Sequence, residues 1–369
     1  MSEEGVALAM AQWCSGLCRQ FASCRKLRYR IALAPCVWAP DNPPMLRIVF
    51  MGTPDIACPT LEALATAPDF QVVGVVVQPD KPKGRDLKLQ APPVKELALR
   101  LGLPVLQPER ARNEPFIAQL RELRLDLIVV LAYGQILPQA ILDLPTHGCL
   151  NVHTSLLPRW RGAAPIQWAI LEGDAATGVT IMRMDAGLDT GGIVATRATP
   201  IAPDDTAQTL HDRLAFLGAE LIVQTIPRYT AGELPPRSQP SDGVTYARKL
   251  TKDDGRLDWS QSALALHNRL RAFTPWPGTF TFVPAQPKPL LLKVWRAELV
   301  RGGDLQSLPP ALPGQVLSAD KSGLVIACHE GALRLAEVQK EGSRRMTAAE
   351  FLAGHPLASG SLLATVGEG

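Results

Sequence analysis

Three short, largely apolar runs, Leu46–Met51, Val72–Val77 and Leu125–Ala132, limit the possible folds more than any other feature. All are far too short to cross a membrane, and their β-branched content suits strands buried on both faces. Stretches with helical spacing lie between them. After Thr53-Pro54-Asp55 the apolar positions are Ile56, Leu61, Leu64 and Ala65, and further helices fall over Val94–Leu101 and Glu114–Leu125. Strand–helix–strand alternation predicts an α/β architecture, a parallel sheet with helices on both faces. Gly52 does not continue into a Gly-x-Gly-x-x-Gly fingerprint, which argues against a dinucleotide site.

A fourth strand is expected at Cys149–Val152. Side chains alternate across a strand, so Asn151 and His153 share one face while Leu150 and Val152 share the other. Pro158 stops the strand, and Thr154 and Ser155 open a polar loop. Strand ends that open into loops are where parallel sheets place ligands. The plainer reading is a structural histidine and a turn-type asparagine. Two more strands, Gly178–Met184 and Ile193–Arg197, flank the loop Asp185-Ala186-Gly187-Leu188-Asp189-Thr190-Gly191-Gly192. The loop reads either as a hairpin whose aspartates bond their own backbone or as a glycine-rich approach to a ligand around Asp189. A short helix over Ala164–Gly173 and a long amphipathic helix over Asp204–Tyr229 complete this part.

At 369 residues the chain is long enough for two domains. A net charge of +3 rules out a polycation, so any nucleic-acid contact must be a local patch. One candidate is the Pro- and Gly-broken loop carrying Lys81, Lys83, Arg85, Lys88 and Lys95 against Asp80 and Asp86. A solvated loop and a phosphate-gripping finger are both open readings of it. Seven cysteines without a Cys-x-x-Cys pair argue against structural zinc and against a disulfide framework, which makes a reducing cytoplasm the default. Residues 1–44 hold four of those cysteines and the basic run Arg25, Lys26, Arg28, Arg30, preceded by Glu3 and Glu4. That order does not suit a secretory signal. The segment is expected to be a disordered extension or an upstream start, with the first domain spanning 45–230.

Composition changes near Ala231. Gly232, Pro235, Pro236, Pro240 and Gly243 predict a linker over 231–252, ending in a second basic patch at Arg248, Lys249 and Lys252. The remainder, 253–369, offers a helix (Ala263–Phe273) and short runs at Thr279–Val283, Leu290–Val294, Gly314–Ala319, Leu324–Ala327 and Ala332–Val338. Closely spaced short strands suggest a small β-barrel, with Trp259 and Trp276 in its core.

These motifs together resemble the methionyl-tRNA formyltransferases, within the folate-dependent formyltransferase superfamily. The resemblance runs from Met45 to about Leu357. It is carried by Arg47-Ile48-Val49-Phe50-Met51-Gly52-Thr53-Pro54, by the Gln78–Arg85 loop, by Asn151-Val152-His153 with Ser155-Leu156-Leu157-Pro158-Arg159, by Met184–Gly191, and by Phe273-Thr274-Pro275-Trp276-Pro277-Gly278. Thr154 departs from the family pattern, which has a smaller residue there. The resemblance implies a Rossmann-like catalytic domain, an OB-like tRNA-binding barrel, and a monomer. It implies formyl transfer from 10-formyltetrahydrofolate, as co-substrate and without a metal, to the α-amine of initiator methionyl-tRNA for translation initiation. Asn151 and protonated His153 would donate to the oxygen that becomes negative, and losing one such donor costs about a hundred- to a thousandfold in rate. Asp189 would favour the charged imidazole and help move the amine proton. Ser155, Leu156, Leu157 and Pro158 would pair with the pterin edge. Lys81, Lys83 and Arg85 would grip the tRNA acceptor end, with Arg248, Lys249 and Lys252 beside it. The rival readings are a formyltransferase for an amino-sugar nucleotide or glycinamide ribotide, a non-catalytic RNA-binding module, and a formyl-folate hydrolase.

Overall fold

The computed structural model describes residues 45–83, 88–285, 288–302 and 310–363. The expectations for residues 1–44, for Arg85 and for the side chain of Lys83 lie outside the described residues. The first half runs β1 (Leu46–Gly52), α1 (Cys58–Thr66), β2 (Phe70–Val76), a small hairpin β3 (Lys81–Lys83) and β4 (Lys88–Gln90), α2 (Pro93–Arg100), β5 (Val105–Leu106), α3 (Glu114–Glu122), β6 (Leu127–Leu131), α4 (Gln139–Leu142) and β7 (Cys149–His153). It continues through β8 (Arg161–Gly162), α5 (Pro165–Leu171), β9 (Ala176–Arg183), β10 (Ile193–Pro200) and α6 (Ala207–Thr230). Seven strands form one sheet in the order β10-β9-β7-β6-β1-β2-β5. The β5-β2-β1-β6-β7 part is parallel, as the apolar runs predict, whereas β9 and β10 are antiparallel additions at the β7 edge.

Alternation along the strands separates two cores. Ile48, Phe50, Leu127, Val129, Leu150 and Val152 face one layer, built with Leu61 and Leu64 of α1 and with Leu210, Leu214 and Ile222 of α6. Val49, Met51, Ile128, Val130 and Cys149 face the other, against Phe116, Ile117 and Leu120 of α3. Both faces of the central strands are therefore dry, which is why their sequences are continuous apolar runs. The α6 helix starts at a capping box in which the Thr206 hydroxyl accepts from the Thr209 N–H and the Thr209 hydroxyl accepts from the Thr206 N–H.

The C-terminal part carries β11 (Tyr246–Ala247), α7 (Ala263–Ala272), β12 (Thr279–Val283), β13 (Leu290–Leu299), β14 (Val316–Asp320), β15 (Gly323–Ala327), β16 (Ala332–Lys340), β17 (Met346–Thr347) and α8 (Ala348–Gly354). The strands pair antiparallel in the order β12-β13-β16-β15-β14, with β17 on β16. No ladder joins β12 to β14 among the described residues, so the sheet is open where a barrel would close. Trp259 is fully buried in its core and its indole N–H donates to the Thr281 hydroxyl at 3.1 Å. Trp276, the other expected core tryptophan, is half exposed instead, in a loop with prolines on either side. The two parts are packed together: Ala272 and Phe273 enter a core of the first part, and Arg271 donates to the carbonyls of Ala202 and Asp205.

The segment expected to be a linker is bonded along its length to the first domain rather than hanging as a tether. Arg237 exchanges two backbone hydrogen bonds with Ile193, and β11 pairs with β8 in parallel. The Thr245 hydroxyl accepts from the Trp160 N–H at 2.9 Å. Gly162 admits this approach because a Cβ there would lie 2.7 Å from the Ala247 carbonyl oxygen. No helix among the described residues is long and apolar enough to cross a membrane.

Candidate active site

A cavity of about 530 Å³ opens beyond the C-terminal ends of β1, β6 and β7, where the parallel strand order turns back on itself. The β7 strand delivers Asn151 and His153 to it on one face, as their spacing predicts, while Leu150 and Val152 sit in the apolar core beneath. Its antiparallel neighbour β9 pairs Asn151 with Met182 and His153 with Thr180, then leads into the glycine-rich loop that returns Asp189 to the same cavity.

His153 is buried at 6% exposure, and its orientation is fixed from behind. Its Nε2 lies 2.9 Å from the Trp160 carbonyl, which only accepts, so Nε2 carries hydrogen and Nδ1 is the nitrogen turned to the cavity. That Nδ1 is 3.8 Å from Asp189 Oδ2. The Trp160 carbonyl is itself anchored. The Trp160 indole donates to Asp174 at 2.7 Å, the same carboxylate receives two hydrogen bonds from Arg159, and the ring stacks on Trp168.

Asp189 is held by three groups. The Gly162 N–H donates to its Oδ2 at 2.8 Å, Asn151 Nδ2 lies 3.4 Å from its Oδ1, and its backbone carbonyl accepts from Gln239 at 2.7 Å. Asp185 shapes the loop locally, accepting from the Gly187 N–H and the Thr190 hydroxyl. The glycines are required: a Cβ on Gly191 would lie 1.8 Å from the Arg183 carbonyl oxygen. Backbone strain concentrates here. Four non-glycine residues have left-handed φ among the described residues, and three of them, Ala132, Trp160 and Asp189, line the cavity or hold His153.

The expected pterin contacts, Ser155, Leu156, Leu157 and Pro158, follow directly on Thr154, which lines the cavity. Ser155 is fully buried with its hydroxyl on the Arg159 carbonyl, and the Thr180 hydroxyl bridges the Leu157 N–H and the Ser155 carbonyl. These groups brace the loop. The opposite wall is Val130–Leu137, which the sequence reading passed over. The signal was present: Leu125–Ala132 is a buried strand that opens at Gly134 into a loop, beside β7. Thr154 lines the cavity at the position of the family departure. Burial pushes the Tyr133 phenol up to about 12, so this wall stays uncharged at neutral pH. The Cys149 thiol is also pushed up to about 12 by burial, which leaves no reactive thiolate there. Among the described residues no group of three His, Cys, Asp or Glu side chains could hold a metal ion.

The basic residues divide. Lys81 is exposed and donates to Gln78, whose amide in turn donates to the Tyr133 carbonyl of the cavity wall. Lys249 and Lys252 are exposed. Arg248 is also exposed, with its guanidinium paired through two hydrogen bonds with Asp254 and lying over the Trp168 ring.

The sequence matches two family models, formyl transferase over residues 46–226 and formyl transferase, C-terminal domain, over 249–356. It is 54% identical over 315 residues to the methionyl-tRNA formyltransferase of Myxococcus xanthus, covering 85% of this chain and 97% of that one. It is 50% identical over 323 residues to the methionyl-tRNA formyltransferase of Magnetococcus marinus, covering 88% and 99%. Among solved structures it shares its fold with WlaRD, a sugar 3N-formyl transferase, at a TM-score of 0.58 and 19% identity over 81% of this chain and 99% of that one. HypX from Aquifex aeolicus matches at a TM-score of 0.56 and 17% identity over 86% of this chain and 49% of that one. With both domains matched and half of its residues shared with such relatives over nearly their whole length, the chain belongs to the methionyl-tRNA formyltransferase family.

Proposed function

We propose that the protein, as a cytoplasmic monomer, transfers the formyl group of 10-formyltetrahydrofolate to the α-amino group of initiator methionyl-tRNA. The observation that carries the residue assignment is the meeting of Asn151, His153 and Asp189, from two separate segments, at one cavity. A cavity of about 530 Å³ with largely apolar walls has room for a flat heterocycle and one amine. The loop Val130–Leu137 supplies the backbone groups that would recognise the pterin edge.

The nucleophile is the substrate's own neutral amine, so the protein needs no nucleophile of its own. Attack forms a bond from that amine to the formyl carbon and breaks the bond from the carbon to the folate nitrogen. The amine gives up one proton and the departing nitrogen takes one. Negative charge grows on the formyl oxygen in between, and Asn151 Nδ2 and a protonated His153 Nδ1 donate to it. Asp189 attracts the imidazolium and accepts the amine proton. Lys81, Lys83 and Arg85 would hold the acceptor end of the tRNA, with Lys249 and Lys252 on the same strand of chain as β11.

The test is mass detection of formyl-methionyl-tRNA after mixing the protein with 10-formyltetrahydrofolate and charged initiator tRNA. Elongator methionyl-tRNA and an amino-sugar nucleotide serve as competing amines. Formylation of the sugar amine in preference to the charged tRNA would overturn the substrate; tRNA binding with no formyl transfer would overturn the enzyme.

A further inference from the structure

The side chain that holds the Asp189 backbone in place comes from the interdomain segment. Gln239 lies 50 residues downstream of Asp189 and is half-buried. Its amide nitrogen donates one hydrogen to the Asp189 carbonyl at 2.7 Å and one to the Gly191 carbonyl at 2.8 Å. Its amide oxygen accepts from Arg161 Nε at 3.1 Å and Nη2 at 2.7 Å. Every hydrogen-bonding group of the side chain is thus engaged. Arg161 precedes Gly162, whose N–H holds the Asp189 carboxylate. One amide therefore ties together the carbonyls on either side of Thr190 and the strand that grips the acid.

Asp189 needs such a tie. Its φ of +52° lies in the left-handed region, which aspartate enters more readily than most residues but still at a cost that its surroundings must offset. The loop around it is glycine-rich and exposed from Asp185 to Leu188, and exposed again at Thr190. Gly192 packs so closely on the same segment that a Cβ there would meet Pro236 at 2.8 Å. The donors from Gln239 hold the backbone on both sides of Thr190, between Asp189 and Gly191.

We infer that Gln239 is a positioning residue for the formyl-transfer step, setting the Asp189 carboxylate against His153 from outside the catalytic domain. The inference rests on the catalytic reading of Asp189 given above. It makes the interdomain segment part of the reacting geometry as well as a connection to the tRNA-facing half.

The experiment uses the full chain. Gln239→Leu keeps the size and removes all four hydrogen bonds. Gln239→Glu keeps the acceptor for Arg161 and removes the donors to the two carbonyls. Each is measured for kcat and KM toward folate and charged tRNA, alone and combined with Asp189→Asn, with thermal unfolding recorded alongside. A displacement near 1 Å at a reacting group costs about a hundredfold, so kcat should fall about 10- to 100-fold. Both KM values should stay within about twofold, because substrate contacts are untouched. In the Asp189→Asn background either change should cost less than about threefold, since both act through one carboxylate. Unchanged kcat, a loss confined to the KM for tRNA, or an undiminished loss in the Asp189→Asn background would each overturn the inference. If Gln239→Leu does not fold, Gln239→Glu decides by the same criteria. Normal turnover in Asp189→Asn alone would instead overturn the catalytic reading, while a slow Asp189→Asn beside a normal Gln239→Leu would remove only this inference.

Discussion

Replacing Asp189 by asparagine isolates its charge from its shape. Asparagine tolerates left-handed φ and keeps an oxygen for the Gly162 N–H, so the loop and its 2.8 Å hydrogen bond should survive. What is lost is the negative charge 3.8 Å from His153 Nδ1. Both side chains are largely buried, at 7% and 12% exposure, so an effective dielectric near ~20 applies. Two unit charges at that separation then attract by about 4 kcal/mol. If that attraction stabilises an imidazolium in the transition state, turnover falls about a thousandfold. Loss of a proton acceptor gives a similar range, about 10²- to 10⁴-fold. The assay is single-turnover formation of formyl-methionyl-tRNA at saturating folate, with circular dichroism and a thermal melt to confirm the fold. A variant that melts like the parent and retains more than about a tenth of its rate would refute the electrostatic reasoning.

Trp259→Ala should destabilise the C-terminal sheet by about 3–5 kcal/mol, because the ring is fully buried and its N–H bond to Thr281 is lost with it; urea unfolding measures this. Arg248 holds the Asp254 carboxyl well below the usual carboxylate range through their paired hydrogen bonds. A carboxyl with a lowered folded-state value contributes stability above its unfolded value, near ~3.9, and loses it as pH falls through the folded value. Arg248→Met should therefore lower the melting temperature at neutral pH and flatten its decline below about pH 4, with no difference from the parent in strong acid. Lys249→Gln with Lys252→Gln should weaken charged-tRNA binding and reduce the slope of log affinity against log salt by about one per lysine, read by filter binding across a salt series. An unchanged slope would place tRNA elsewhere.

The parallel sheet was legible because burial on both faces leaves continuous apolar runs, and Ile48, Phe50, Val49 and Met51 do divide between the two cores. The pairing of Asn151 with His153 followed from strand alternation alone. Resemblance rather than spacing singled out Asp189 as the third member, since nothing local states which strand its hairpin will neighbour. The bracing of Ser155–Pro158 was not legible, because Thr180, which takes up the Ser155 carbonyl and the Leu157 N–H, arrives from another strand. Gln239 escaped because its partners are distant in sequence. The proline- and glycine-rich stretch 231–252 reads as a linker from composition, and its bonds to Ile193, Asp189 and Trp160 appear only in the fold.

Ala132 and Asp189 sit in a backbone region where glycine would be the more comfortable occupant. At Ala132 the exchange would cost only a methyl group. At Asp189 it would remove the one acid at ion-pair distance from His153 among the described residues. On the role proposed for Asp189, robustness and reactivity select opposite residues at one position: a lineage screened for heat resistance alone would drift toward the relaxed loop and shed that carboxylate, and the tightness of the surrounding clasp is what lets both demands be met at once.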